Sequence, residues 1–319
     1  MTFSPKKVYE EYLENALNKI TAIDLLISII ENCEDESIRI EAIETLDKME
    51  ANTKEIFKFF ENLMVSDLNC KIRVHTALFL PKYFFDDALI PLKWILLHDD
   101  SYECLITYIK TLEKYYPKES RSIFLQEIKK IKKIRYLNYE KKYENFKFRK
   151  VLKKLLKSNR YKKFSCHQLA SILINFHTIK NLSRLFPNMF FELDSQYAIV
   201  KELDLSDYLE YEVKGTPWGW KNNIQSISEI IGLQNLKNLK KLDLSNNLIK
   251  NIKELIKLVN LTDLILSNNK ISQLENLNYL KKLPNLKVVD LCGNKIANFF
   301  NPEDFKPKTR IIVKRYSLE

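Results

Sequence analysis

LKKLDLSNNLI (239–249), LTDLILSNNKI (261–271) and LKVVDLCGNKI (286–296) share one pattern, L-x-x-L-x-L-x-x-N-x-L, with Val289 in place of one Leu. The second copy starts 22 residues after the first, and the third 25 residues after the second. Apolar residues at every second position read as a short strand with one face buried. The Asn that follows suits a tight turn, where its amide can satisfy backbone groups that would otherwise be buried without partners. Upstream, VKELDLS (200–206) supplies Val200, Leu203 and Leu205 of a fourth strand. Asn222-x-Ile224 resumes the pattern after a 14-residue insertion. KELIKLVNL (253–261) reads as a return segment on the opposite side.

A unit of this size cannot bury its apolar face alone but can bury it against its neighbours. Residues 198–299 resemble the short leucine-rich repeats of phosphatase-regulator and spliceosomal adaptor proteins. The resemblance implies a curved, parallel-stranded array that carries a partner on its concave strand face and has no catalytic role. The polar tail NPEDFKPKTRIIVKRY (301–316) reads as the C-terminal cap such an array needs.

A different periodicity fills the first part of the chain. SIRIEAIETL (37–46), KIRVHTALFL (71–80) and ECLITYIKTL (103–112) align at spacings of 34 and 32 residues, each apolar at helical spacing. Each precedes a second apolar helical run: 54–64, 88–97 and 122–131. Glu34-Asp35-Glu36 and Asp99-Asp100-Ser101 are placed to cap helices. EDESIRIEAIETLDKME resembles the second helix of a HEAT-type repeat, which implies stacked helix pairs over residues 20–130; an irregular helical bundle is the alternative. The expected architecture is a two-part solenoid, all-α HEAT-like helical repeats followed by an α/β leucine-rich repeat domain. Residues 1–127 form the helical repeats, 128–193 a basic helical region completing the N-terminal domain, and 194–319 the leucine-rich repeat domain.

Composition narrows the functional classes. The chain has 319 residues, enough for about two domains, and only four glycines, so no Gly-rich phosphate cradle can be written. Its five cysteines are odd in number, widely spread and never CxxC, which points to reduced thiols and a cytoplasmic protein, not a disulfide framework or zinc site. The charged N-terminus does not read as a signal peptide, and the longest apolar stretch, 23–30, is too short to span a bilayer. His75, His98, His167 and His177 show no metal-ligand spacing, and adjacent Cys166 and His167 on a helix do not face each other. No enzyme, cofactor or metal is expected.

Strand alternation places the candidate site. Glu202, Asp204, Lys241, Asp243, Asp263, Ile265 and Asp290 should line a mildly acidic concave face suited to a basic or polar segment of a partner protein. The alternative is a solvated face whose Asp residues keep an exposed sheet soluble. Tyr211, Trp218 and Trp220 in the insertion are residue types enriched at interfaces, or else fold back as a lid.

The net charge of +11 is local. Residues 129–163 hold sixteen Lys/Arg and two acids. Lys141, Lys142, Arg149, Lys150, Lys153 and Lys154 are the candidate phosphate contacts of these amphipathic helices. They could contact nucleic-acid phosphates, with interleaved aromatics stacking on unpaired bases. The competing partners are an anionic membrane surface or an acidic protein, and a solvated basic face is the bland reading. Lys outnumbers Arg thirteen to three there, against arginine-based specific recognition. A non-enzymatic protein-interaction scaffold is the first reading of function, and a nucleic-acid-associated adaptor the second.

Overall fold

The computed structural model describes residues 4–133, 142–207, 223–299, 305 and 310–313, with 132–133 and 142–146 in backbone only. The chain divides into two compact units, 1–126 with 165–170, and 127–164 with 171–319. A helical N-terminal region precedes a smaller strand-containing region.

The helices are α1 (Pro5–Leu13), α2 (Lys19–Asn32), α3 (Glu36–Lys48), α4 (Lys54–Ser66), α5 (Cys70–Tyr83), α6 (Phe85–His98), α7 (Tyr102–Tyr115), α8 (Pro117–Lys133), α9 (Lys142–Lys157) and α10 (Cys166–Leu185). Their starts follow side-chain chemistry. Asn18, Asp35 and Asn69 each accept a first-turn amide, at 2.9, 2.8 and 2.8 Å. In the first unit α1·α2, α2·α3, α4·α5, α5·α6 and α6·α7 pack as chain neighbours, and α1·α3, α3·α5, α5·α7 and α4·α6 pack one element further on. The expected apolar stripes do the packing. Ala42, Ile43 and Leu46 of α3, Ile72, Ala77 and Leu80 of α5, and Ile109 and Leu112 of α7 are buried, whereas Ile38 stays exposed.

An arginine–aspartate ladder ties successive segments of this unit. Arg39 of α3 pairs with Asp67 and donates to the Ile30 carbonyl at 2.7 Å. Arg73 of α5 pairs with Asp99 at 3.1 Å and donates to the Asp67 carbonyl at 2.7 Å. In α7 the equivalent position is Leu105, which is buried, and the Tyr108 hydroxyl supplies the last contact to Asp99 at 3.1 Å.

The second region is one six-stranded sheet of consecutive strands: β1 (Phe190–Leu193), β2 (Val200–Asp204), β3 (Lys241–Asp243), β4 (Asp263–Ile265), β5 (Val288–Asp290) and β6 (Arg310–Ile312). Strands β2 to β6 are parallel, and β1 pairs antiparallel with β2. The sheet thus has two strands beyond the four expected. One, β1, lies in FPNMFFELDSQ (186–196), where Phe186, Met189 and Phe191 are buried.

Asn residues hold the turns together. Asn247, Asn269 and Asn294 accept from the amides of Ile224, Ile249 and Ile271 at 3.0, 3.0 and 3.1 Å. Each donates to carbonyls of its own copy and the preceding one: Asn269 reaches Leu244 at 2.8 Å and Leu266 at 2.9 Å. Asn175 of α10 plays a similar part at the first parallel strand, accepting from the Val200 amide at 2.8 Å. On the return side, Asn276, in α11 (Glu275–Lys281), accepts from the Ile252 amide at 3.0 Å.

Candidate functional site

Register places the strand residues of the candidate site in two rows. One runs Glu192, Glu202, Lys241, Asp263, Val288, Arg310; the other runs Phe190, Asp204, Asp243, Ile265, Asp290, Ile312. The row between them, Phe191, Leu203, Leu242, Leu264 and Val289, is buried. All seven strand residues expected at the site therefore lie on one sheet face, which alternation makes the face away from the leucine core. Among the described residues the two rows hold six carboxylates against Lys241 and Arg310.

These carboxylates are not equivalent. Asp243 and Asp290 are each only 7% exposed. Asp243 accepts from the Ser245 amide at 2.9 Å and hydroxyl at 2.7 Å, and Asp290 from the Cys292 amide at 2.9 Å. Asp204 does the same for Ser206, at 2.9 and 2.6 Å, but is less buried. These contacts cap the turn that leaves each strand. Burial, with Asp204 alongside, pushes the Asp243 carboxyl above its usual range, outweighing the stabilising Ser245 contacts and Lys241. Glu202 and Asp263 are half-buried, while Glu192 and Lys241 are exposed. Lys201 bridges Glu192 and Glu202 at 3.2 and 3.3 Å.

At the β1–β3 end the face carries a hollow of about 160 Å³, lined by Phe190, Glu192, Glu202, Asp204, Lys241 and Asp243. Phe190 is 45% exposed. Lys147 of α9 sits 3.4 Å from the Phe190 ring centroid and donates to the Phe191 carbonyl at 2.6 Å. Burial lowers its ammonium pKa, with Glu192 acting in the opposite direction. Phe190, Glu192 and Lys147 were not singled out from sequence. The alternation in FFEL was the available signal for the first two.

Tyr211, Trp218 and Trp220 lie outside the described residues, as do Asn222 and Lys141. Lys142 begins α9 and is described in backbone only. Arg149 is half-buried, and Lys150, Lys153 and Lys154 are exposed on α9. The aromatics Phe148 and Phe164 are buried: Phe148 packs on Phe176 and Phe191, and Phe164 stacks on Tyr197.

The remaining reactive groups are engaged locally. His167 contacts Glu113 at 2.5 Å, while burial and Glu113 push the neighbouring Cys166 thiol up to about 11, against Arg121. All five cysteines are free thiols. Burial, with Lys180, holds His177 down at about 4. Among the described residues no Cys/His/Asp/Glu group could hold a metal, and no helix is long and apolar enough to cross a membrane.

No curated protein matches the sequence. The family model described as Leucine Rich repeats (2 copies) matches residues 259–306, which contain β4, α11 and β5. Strand β3 and Asn247 repeat the same geometry one copy upstream. Residues 259–306 are therefore leucine-rich repeats, modules that in general serve protein interaction.

Proposed function

We propose that the chain is a non-enzymatic adaptor that binds a basic or polar segment of a partner protein on the sheet face of its leucine-rich repeats. The observation that carries this reading is the β1–β3 end of that face. There, Glu192, Glu202 and Asp204 surround a hollow beside a partly exposed phenylalanine. Carboxylates next to apolar surface, two of them half-buried, favour a cationic side chain with an aliphatic stem. We read the first unit as a HEAT-like solenoid, on the packing of alternate helices and the arginine–aspartate ladder. The five free thiols support a reducing, cytosolic setting.

The test uses Glu202→Lys with Asp263→Lys, because Asp243 and Asp290 cap turns and their loss would damage the fold. Affinity capture from native extract after nuclease should retain discrete proteins on the unaltered chain and lose them on this variant. Retention of the same proteins by both would refute the face assignment.

A further inference from the structure

We propose that α9 and the turn after it form a docking stripe for the phosphate backbone of a nucleic-acid duplex, bound by charge without base reading. Lys150, Lys153, Lys154 and Lys157 recur at i, i+3, i+4 and i+7, which sets them on one side of α9. All four are exposed. Arg160 and Lys163, in the 3-10 turn Arg160–Lys163, are exposed too. Among the described residues none of these six has a carboxylate within ion-pair distance. Residues 147–163 contain no acid.

The geometry and burial select the occupant. Lys150 and Lys157 stand about 10 Å apart along the helix axis, the axial rise of roughly three phosphates of one strand at ~3.4 Å each when the duplex lies along α9. Amphipathic insertion into a membrane would need an apolar helix face free to enter it. Phe148, Leu152 and Leu155 are instead buried within their own unit. A single strand is held largely by stacking on aromatics; of the aromatics described in this stretch, Phe148 and Phe164 are occupied by ring partners and Tyr161 alone is half-buried. What stays accessible along α9 is a row of compact ammonium charges, which contact phosphates as point charges and carry no bidentate base-reading geometry, with Arg160 the single guanidinium beyond its end.

The experiment measures binding of the full chain to a fluorescent mixed-sequence DNA duplex by anisotropy, between about 50 and 200 mM salt. With about four phosphate contacts, affinity should fall on the order of a hundredfold across that range. Two duplexes of unrelated sequence should bind alike. The variant Lys150→Gln/Lys153→Gln/Lys154→Gln/Lys157→Gln should lose tenfold or more in affinity, with a much flatter salt dependence. A control with the same charge change, Lys237→Gln/Lys240→Gln/Lys250→Gln/Lys253→Gln, should bind as the unaltered chain does. The proposal is overturned by no duplex binding at the lowest salt, or by equal loss in the control. It is also overturned by tighter binding to the single strand, or by lysine-dependent binding to phosphatidylserine vesicles in place of the duplex.

Discussion

The side-chain carbonyl oxygen of Asn268 occupies the space into which a β-carbon on Gly293 would project. The two residues hold equivalent positions in consecutive repeats, and Asn246 holds it one repeat earlier. All three backbones are left-handed, with φ of 59° at Asn246, 56° at Asn268 and 72° at Gly293. The Asn268 amide donates to Asn246 at 2.8 Å. Gly293→Ala should therefore cost about 2 kcal/mol or more, from the left-handed backbone and the collision together. Asn268→Gly in the same chain should recover the steric share only. A double-mutant cycle on thermal unfolding measures that coupling, and strict additivity would contradict the contact.

Asn269 is the middle member of the turn ladder and is 4% exposed. Truncation to Ala leaves the Ile249 amide and the Leu244 and Leu266 carbonyls buried without their partner. Each such group costs about 1–3 kcal/mol, so Asn269→Ala should destabilise by roughly 3–5 kcal/mol. Urea unfolding gives the value, and a loss below about 1 kcal/mol would mean that water enters the turn.

Burial raises the Asp99 carboxyl, but the Ser101 amide, Arg73 and the Tyr108 hydroxyl outweigh it and leave the group below its usual range. A depressed carboxylate contributes stability above its unfolded pKa and loses it as pH falls through the folded value. This contribution should thus be complete at neutral pH and disappear only below about pH 4. Arg73→Leu alone leaves a buried charge unpaired and should cost about 3–5 kcal/mol. Arg73→Leu with Asp99→Leu should cost less than either single change, as Leu105 already fills the arginine position in α7. Chemical unfolding of the three variants checks the order.

His177 is held neutral down to about pH 4, whereas the unfolded chain protonates it near pH 6.5. Its contribution is therefore complete above pH 6.5 and falls away from there down to about pH 4, by on the order of 3 kcal/mol. His177→Phe should flatten the fall of melting temperature over that window. An unchanged pH profile would place the imidazole in water.

The repeats were legible because each template position has one physical duty: alternate leucines go inward and the Asn serves the backbone. The same alternation put Asp204, Asp243 and Asp290 on the sheet face away from the leucine core, where the register has them. It did not show that two of them are covered and engaged in capping, because that depends on how the chain bends after the strand. The signal was the recurrent Asp-x-Ser spacing at 204–206 and 243–245, a local turn pattern. Strand β1 was hidden for another reason. It follows no repeat, and its pairing is determined by β2. In α9 the lysine spacing was readable, but the burial of Phe148 and Phe164 required the packed partners Phe176, Phe191 and Tyr197.

A parallel ladder of identical rungs has no intrinsic first member, since each new strand offers the same row of amides and carbonyls to the next. Strand β1 breaks that symmetry by running the other way, and Lys147 occupies its Phe191 carbonyl. A repeat from a second molecule arriving at this edge would meet a strand of the opposite sense from β2 to β6, with one carbonyl already taken by Lys147. The reversal gives the array a first member unlike the rest.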